Sequence, residues 1–151
     1  MSEVKRIVLV EDSENDIELT LAALEEHHLA NEVVVVRDGV EALDYLYRRG
    51  AFQTRPIGNP AVILLDLKMP RMGGLEALRT LKSDATLRTI PVVIMTSSSE
   101  ERDVVDSYNL GVNAYVVKPV KFQSFVEAVR TLGLFWAVLN QPPPGSVRRV
   151  A

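Results

Sequence analysis

Short apolar segments alternate with longer amphipathic segments along the chain. The apolar segments are rich in β-branched residues and too short for helices, as is typical of strands covered on both faces. They are Ile7–Val10, Val33–Val36, Val62–Leu65, Val92–Met95 and Ala114–Val117. The pattern therefore predicts five strands, each followed by a segment with helical spacing.

The intervening segments carry apolar residues at helical spacing. After the first strand these are Ile17, Leu21 and Leu24, and Ser13 with Asp16 resembles a capping box that starts the helix. The other predicted helices are Val40–Arg49, Leu75–Leu81, Ser98–Leu110 and about Phe122 to Asn140. This alternation predicts an α/β fold, a doubly wound parallel sheet with helices on both faces.

Composition and charge narrow the functional classes. The 151 residues fit one domain, and the 47% of hydrophobic residues can form a core. A net charge of -3 disfavours direct nucleic-acid binding, and the absence of cysteine removes disulfides and thiolate metal sites. Since the apolar runs are far shorter than the ~20 residues of a membrane span, we expect a cytoplasmic protein without membrane contact.

Polar side chains that could take part in catalysis or metal binding lie at the ends of four of the predicted strands. Glu11 and Asp12 follow the first strand, Asp66 the third and Lys118 the fifth, and Thr96 ends the fourth. Taken singly, each has an ordinary explanation as a helix N-terminal acid, a turn residue, a strand-end hydroxyl or a solvated cation. In a doubly wound sheet, however, the carboxyl ends of the strands meet near the switch point, so their combination predicts a site.

The residue types in this group suit phosphoryl transfer. Clustered carboxylates repel one another without a cation, and oxygen ligands are preferred by Mg²⁺, which also binds phosphate. The Lys118 ammonium and the Thr96 hydroxyl could neutralise phosphoryl oxygens. Asp66 would then act as the nucleophile and form an acyl phosphate.

Together these residues resemble the signature of the response regulator receiver domain. The matching motifs are Glu11–Asp12, Asp66 with Met69–Gly74, Ile94–Thr96 and Lys118–Pro119, and the resemblance extends over about residues 5–132. It implies a flavodoxin-like sheet with strand order 2-1-3-4-5. It also implies a single-domain response regulator, a phosphoacceptor switch that assists its own phosphorylation and dephosphorylation rather than an enzyme.

The resemblance assigns roles to residues of the site. Asp66 would be the phosphoacceptor. Mg²⁺ or Mn²⁺ would be bound directly by Asp12 and Asp66, through water by Glu11, and by the main-chain carbonyl of Lys68. Glu11 stands where many relatives have Asp. Its longer side chain keeps the charge but would alter the water-bridged metal geometry, which affects the expected metal affinity and not the family resemblance.

Three further roles follow from the resemblance. Thr96 and Lys118 would hold the phosphoryl oxygens. Tyr115 occupies the position of the aromatic switch residue that responds to the Thr96 hydroxyl, although a half-buried strand tyrosine is the simpler explanation. The peptide before Pro119 corresponds to a cis bond of the family, whose isomer the sequence does not reveal.

The segments Tyr45–Gly50 and Leu134–Trp136 resemble single-domain regulators paired with bacterial and cyanobacterial phytochromes. The resemblance implies a sensor histidine kinase as partner, with a phytochrome as the narrower expectation, and output through an effector protein or a further phosphotransfer step. Beyond the core-facing stripe of the last helix, additional apolar residues predict a homodimer, unless the C-terminal tail covers them. They are Leu134, Phe135 and Val138.

We expect residues 1–140 to form the domain and residues 141–151 an extended or disordered tail.

Two other functional classes are compatible with the predicted fold, and one loop has two interpretations. A haloacid-dehalogenase-type phosphatase or phosphotransferase also uses an Asp nucleophile with Mg²⁺, but its Asp-x-Asp motif is not matched, since Asp66 is followed by Leu67 and Lys68. A flavodoxin-like cofactor binder is disfavoured because residues 11–16 are acidic and would repel a flavin phosphate. The turn-rich segment Arg48–Pro60 is either a surface insertion or a partner-contact loop.

Overall fold

The computed structural model describes residues 6–25, 32–96, 112 and 114–131. Its strands are β1 (Ile7–Val10), β2 (Val33–Val36), β3 (Val62–Asp66), β4 (Val92–Thr96) and β5 (Ala114–Val117). Its helices are α1 (Glu14–Glu25), α2 (Gly39–Tyr47), α3 (Gly74–Ser83) and α4 (Phe122–Thr131), and Gly50–Phe52 form a short 3₁₀ helix. All five predicted strands are confirmed, to within one residue at their ends.

The strands form one parallel sheet in the order β2-β1-β3-β4-β5. This is the strand order that the family resemblance implied. Because β1 pairs with β2 on one side and with β3 on the other, the chain reverses its direction of winding between β1 and β3. Ligands of open α/β sheets bind at such a switch point, outside the carboxyl ends of the strands.

Helices cover both faces of the sheet, as the continuous apolar strands predicted. Alternate residues of each strand point to opposite faces. Val8 and Val10 belong to a core cluster shared with α2 and α3, whereas Ile7 and Leu9 belong to a second cluster shared with α1 and α4. All residues of β1 and β3 are buried, which explains why β1 and the first four residues of β3 are apolar.

The start and end of α2 are set by side-chain and backbone caps. Asp38 precedes the helix, and its Oδ1 accepts a hydrogen bond from the N–H of Glu41 at 2.9 Å. At the other end Arg48 takes the left-handed conformation, with φ 55°, so the helix ends at Tyr47. The predicted end at Arg49 was therefore wrong by two residues, because the left-handed cap stops the helical hydrogen bonds.

The turn-rich connection after α2 is attached to that helix by Arg55. The guanidinium Nε donates to the carbonyl of Tyr45 at 2.6 Å and Nη2 to that of Leu46 at 3.3 Å. Nη1 donates to Pro56 and Gly58 of the loop itself, at 2.7 and 3.1 Å. Arg55 thus adds hydrogen bonds to carbonyl groups in the last turn of α2, where the carbonyl of Tyr45 also accepts the N–H of Arg48 at 3.2 Å. Whether the loop also contacts a partner stays a prediction.

Several predictions concern residues outside those that the structure describes. They are the helix at 98–110, the continuation of the last helix to Asn140, the apolar residues Leu134, Phe135 and Val138, and the tail at 141–151. Within the described part of the chain, no helix has the length and hydrophobicity needed to cross a membrane.

Candidate functional site

The topology places the carboxyl ends of β1 and β3 side by side. Val10 and Leu65 are partners in the parallel register, so the next residues, Glu11 and Asp66, are neighbours at the sheet edge. The N–H of Glu11 donates to the carbonyl of Val36 at 2.9 Å, which extends the pairing of β1 with β2 beyond the strand. Both acids are buried, with exposures of 1% for Glu11 and 5% for Asp66.

Three carboxylates gather at this edge. Glu11, Asp12 and Asp66 each offer an oxygen atom, and these atoms all lie within 4.8 Å of one another. Asp12 is exposed, so the group opens to solvent on one side. Carboxylate oxygens at this spacing fit a hard divalent cation such as Mg²⁺, which binds through carboxylates and retained waters. The structure therefore brings together the three acids that the sequence nominated as metal ligands.

Lys118 reaches the same site from the end of β5. Its Nζ lies 3.1 Å from Oδ1 of Asp66 and 3.0 Å from Oδ2 of Asp16, and it also contacts Oε1 of Glu11. The peptide bond between Lys118 and Pro119 is cis, the isomer that the family resemblance implied. The lysine side chain is 10% exposed, so its charge is neutralised mainly by these acids.

Burial and neighbouring charges shift the pKa values of Glu11, Asp66 and Lys118. Burial raises the pKa of Glu11, and the hydrogen bond from Lys118 only partly offsets it. Burial likewise raises the pKa of Asp66 against the attraction of Lys118. For Lys118, burial would lower the pKa, but the hydrogen bonds to Glu11 and Asp16 and the charge of Asp66 outweigh it, so the pKa is raised. The ammonium group is thus held charged beside carboxylates that favour a cation.

The acids and the lysine line an open pocket of about 200 Å³. A pocket of this size has room for several water molecules, and hence for a phosphoryl group and a hydrated ion. Its lining consists of Glu11, Asp12, Ser13, Asp16, Asp66, Lys68 and Lys118. Lys68, whose carbonyl the family resemblance nominated as a ligand, is therefore at the site.

The loop from β3 to α3 is held tightly against the end of β3. The N–H of Gly74 donates to the carbonyl of Leu67 at 2.9 Å. A Cβ atom on Gly74 would lie 2.0 Å from the carbonyl oxygen of Asp66, so only glycine fits this approach. On the other side of the loop, Nε of Arg71 donates to Oδ2 of Asp38 at 2.7 Å. These contacts fix the backbone that carries Asp66.

Two nominated residues lie on strands further along the sheet. Thr96 is the last residue of β4, in register with Val117 of β5. Tyr115 is 41% exposed on β5 and lines an open groove of about 490 Å³ between β5 and α4. An exposure of 41% is compatible with the simpler explanation of a half-buried strand tyrosine, and the switch role of both residues stays a prediction.

The sequence analysis missed Asp16 as a site residue. The capping-box pattern is half fulfilled, because Oγ of Ser13 accepts a hydrogen bond from the N–H of Asp16 at 3.3 Å. The Asp16 carboxylate, however, accepts from Lys118 rather than capping the helix. Its position one turn after Glu11–Asp12, at the same edge of the sheet, was the signal available in the sequence.

Comparisons with known proteins agree with this geometry. The family profile described as the response regulator receiver domain matches residues 7–130. The response regulator Rcp1 of Synechocystis sp. is 37% identical over 132 residues, which cover 87% of this chain and 88% of Rcp1. The solved structure of the bacteriophytochrome response regulator RtBRR is 64% identical, with a TM-score of 0.83, over 95% of this chain and 87% of that one.

A third comparison concerns a metal-bound structure. The Mn²⁺-bound form of Rcp1 is 35% identical, with a TM-score of 0.73, and the match covers 94% of this chain and all of the other, 100%. The receiver-domain profile, which matches residues 7–130, includes the strand ends that carry Glu11, Asp66 and Lys118. A receiver is a signalling switch, and the profile match favours it over the haloacid-dehalogenase-type alternative. The chain therefore belongs to the response regulator receiver domain family, whose members bind a divalent metal and accept phosphoryl groups from histidine kinases.

Proposed function

We propose that Asp66 is the phosphoacceptor of this receiver and that Mg²⁺ or Mn²⁺ assists the transfer. The observation that carries the proposal is the close grouping of three carboxylates with one ammonium. Oxygen atoms of Glu11, Asp12 and Asp66 lie within 4.8 Å of one another, and Nζ of Lys118 lies 3.1 Å from Asp66. Asp66 is the acid of this group that ends the central strand β3 and contacts the lysine.

The ligands of the metal would be Asp12 and Asp66, with Glu11 acting through water and Lys68 through its main-chain carbonyl. Among the described residues that line the pocket, four carboxylates stand against two lysine ammonium groups, so the site keeps a net negative charge, which favours a divalent cation. When bound, the metal neutralises negative charge on the phosphoryl oxygens. The relative Rcp1, solved in a Mn²⁺-bound form, supports the choice of Mg²⁺ or Mn²⁺.

The transfer itself needs positioning more than acid–base chemistry. A carboxylate oxygen of Asp66 forms a bond to phosphorus while the bond between phosphorus and the kinase histidine nitrogen breaks. The departing imidazole nitrogen keeps the electron pair of that bond. The Lys118 ammonium, already 3.1 Å from Asp66 Oδ1, would hold one oxygen of the incoming group, and the Thr96 hydroxyl would hold another.

Phosphorylation would be read at the edge formed by β5 and α4. In this proposal Thr96 moves toward the phosphoryl group and Tyr115 follows it inward. The 41% exposure of Tyr115 and the open groove between β5 and α4 leave space for a change of side-chain position. The output would go to an effector protein or to a further phosphotransfer step.

The partner kinase would be of the phytochrome class. RtBRR, which is 64% identical to this chain, is a bacteriophytochrome response regulator.

We also propose a homodimer whose contacts include Leu134, Phe135 and Val138, because these apolar side chains extend beyond one stripe of the last predicted helix. Light scattering of the wild type and of Phe135→Asp tests the dimer, and a wild-type monomer would contradict it.

Incubation with acetyl phosphate and Mg²⁺, followed by intact-mass measurement, tests the phosphoacceptor. The wild type should gain the mass of one phosphoryl group, and Asp66→Asn should gain none, because an amide is not nucleophilic enough to attack phosphorus. Asp44→Asn is the matched control, since it makes the same chemical change on α2, where Asp44 pairs with Arg49. Equal labelling of Asp66→Asn and the wild type would place the phosphoacceptor elsewhere.

A further inference from the structure

The proposed transfer leaves the carboxylate of Asp16 without a role. Asp16 lies in the first turn of α1, and its Oδ2 is 3.0 Å from Nζ of Lys118. It does not belong to the group of Glu11, Asp12 and Asp66 whose oxygen atoms could share one metal ion. Its side chain is 31% exposed, whereas that of Glu11 is 1% exposed. Asp16 therefore contacts the lysine from the solvent side of the pocket.

Lys118 and a divalent cation would compete for the same oxygen atoms. The ammonium contacts Glu11 and Asp66, and both acids belong to the candidate metal group. A cation that binds there weakens these two ion pairs and repels the ammonium as well. Of the acids that Lys118 contacts in the described part of the chain, Asp16 is outside the metal group and keeps its full charge for the lysine.

We propose that Asp16 is a positioning residue that retains Lys118 beside the pocket when a divalent cation occupies the carboxylates. The inference deepens the proposed function and rests on its metal site. By pairing with the ammonium, Asp16 reduces the competition between Lys118 and the metal, and it keeps the lysine within reach of an incoming phosphoryl group. Asp16 itself touches neither the metal nor the phosphorus.

The backbone around Asp16 is suited to this role. Oγ of Ser13 accepts the N–H of Asp16, and the N–H of Ser13 donates to Oε2 of Glu11 at 3.2 Å. The turn that carries Asp16 is thus tied to Glu11, the acid that follows β1. Because the short aspartate side chain has few rotamers, little conformational entropy is lost in holding it against the lysine.

A simpler explanation is that Asp16 attracts the metal as one more negative charge near the pocket. The two explanations differ in whether Lys118 is required. If Asp16 acts through the lysine, its effect on metal affinity disappears once the ammonium is removed. If it acts by charge alone, the effect is the same with and without the ammonium.

A double-mutant cycle on Mg²⁺ affinity, measured by isothermal titration calorimetry, distinguishes them. Asp16→Asn should weaken binding about tenfold, as expected for a lost hydrogen bond between charged groups. Lys118→Met should bind Mg²⁺ more tightly than the wild type, because the competing ammonium is gone. In the Lys118→Met background, Asp16→Asn should change the affinity less than about twofold.

Two further variants serve as controls. Glu18→Gln removes the same charge two residues further along α1, outside the pocket lining, and should leave the affinity within about twofold of the wild type. Asp16→Glu keeps the charge and should restore most of the binding that Asp16→Asn loses. Circular dichroism checks the fold of each variant, and Lys118→Gln replaces Lys118→Met in the cycle if the latter is unfolded.

The outcomes separate this inference from the proposed function. An equal loss of affinity on Asp16→Asn in both lysine backgrounds would show that Asp16 acts by charge alone and would overturn the inference. So would unchanged or tighter Mg²⁺ binding by Asp16→Asn itself. If instead the wild type shows no saturable Mg²⁺ binding, or if Asp66→Asn does not weaken it, the metal site of the proposed function is wrong.

Discussion

Adding one methyl group at Gly74 should displace the backbone that carries Asp66, the proposed phosphoacceptor. Gly74 is the first residue of α3, and a Cβ there would lie 2.0 Å from the carbonyl oxygen of Asp66 and 2.9 Å from its carbonyl carbon. Both atoms are backbone at the end of the central strand β3, so no side-chain rotation can relieve the contact. The variant Gly74→Ala must therefore separate α3 from β3 locally.

The size of the displacement sets the expected cost. A carbon–oxygen contact is comfortable from about 3.3 Å, so the two backbones must move apart by more than 1 Å in total. Overpacking in a well-packed region costs about 1–3 kcal/mol, and the upper end applies because rigid backbone must yield. Replacing glycine by alanine in a helix gains at most about 1 kcal/mol. The cost of the steric clash exceeds the gain in helix propensity, and we expect a net loss of about 2 kcal/mol in the free energy of unfolding.

The same movement should slow phosphorylation. A misplacement of about 1 Å at a reacting group can lower the rate about 100-fold. Urea unfolding measures the stability, and the initial rate of labelling by acetyl phosphate with Mg²⁺ measures the transfer. Gly73→Ala is the matched control: its Cβ would lie 3.2 Å from the carbonyl oxygen of Leu67 at an unstrained φ of -74°, so a shift of a few tenths of an ångström accommodates it.

Wild-type stability and labelling in Gly74→Ala would refute this reasoning. It would mean that the loop between β3 and α3 is soft enough to absorb the methyl group. A loss in Gly73→Ala as large as that in Gly74→Ala would also contradict the argument, because the two positions differ mainly in the closeness of the backbone contact.

Three further changes test contacts around the site. Asp38→Ala removes the N-cap of α2 and the partner of Arg71 and should cost about 2 kcal/mol at pH 7 in urea unfolding. Burial alone would raise the pKa of Asp38, but its hydrogen bonds outweigh burial and lower the pKa. The stability difference between the wild type and Asp38→Ala should therefore have its full size above the unfolded pKa of about 3.9 and shrink as the pH falls through the folded pKa. A stability difference that does not depend on pH would contradict this reasoning. Arg55→Ala should free the carbonyls at the end of α2 and speed amide hydrogen exchange in the loop after it, whereas unchanged exchange would mean that the loop is held by other contacts. Tyr47→Phe removes the hydrogen bond to Asp84, 2.6 Å long and exposed, and should cost less than about 1 kcal/mol; a larger loss in thermal unfolding would show a wider role for this contact.

The sequence by itself determined the fold class and most of the candidate site. Short β-branched runs that alternate with helical spacing allow few arrangements, because buried parallel strands need helices on both faces. The nominated Glu11, Asp12, Asp66 and Lys118 meet in one pocket because parallel strands end at a common edge. The strand order and the roles of these residues came from the family resemblance, which the comparisons confirm at the level of the family.

Other features depended on the tertiary structure. The role of Asp16 required Lys118, which is distant in the sequence and reaches it only across the sheet edge. Nothing in local spacing distinguishes a capping acid from one that pairs with a lysine on another strand. In the same way, the closeness of Gly74 to Asp66 depends on how α3 packs against β3. Local preferences specify elements, whereas contacts between distant residues are decided by packing, and packing is a property of the whole chain.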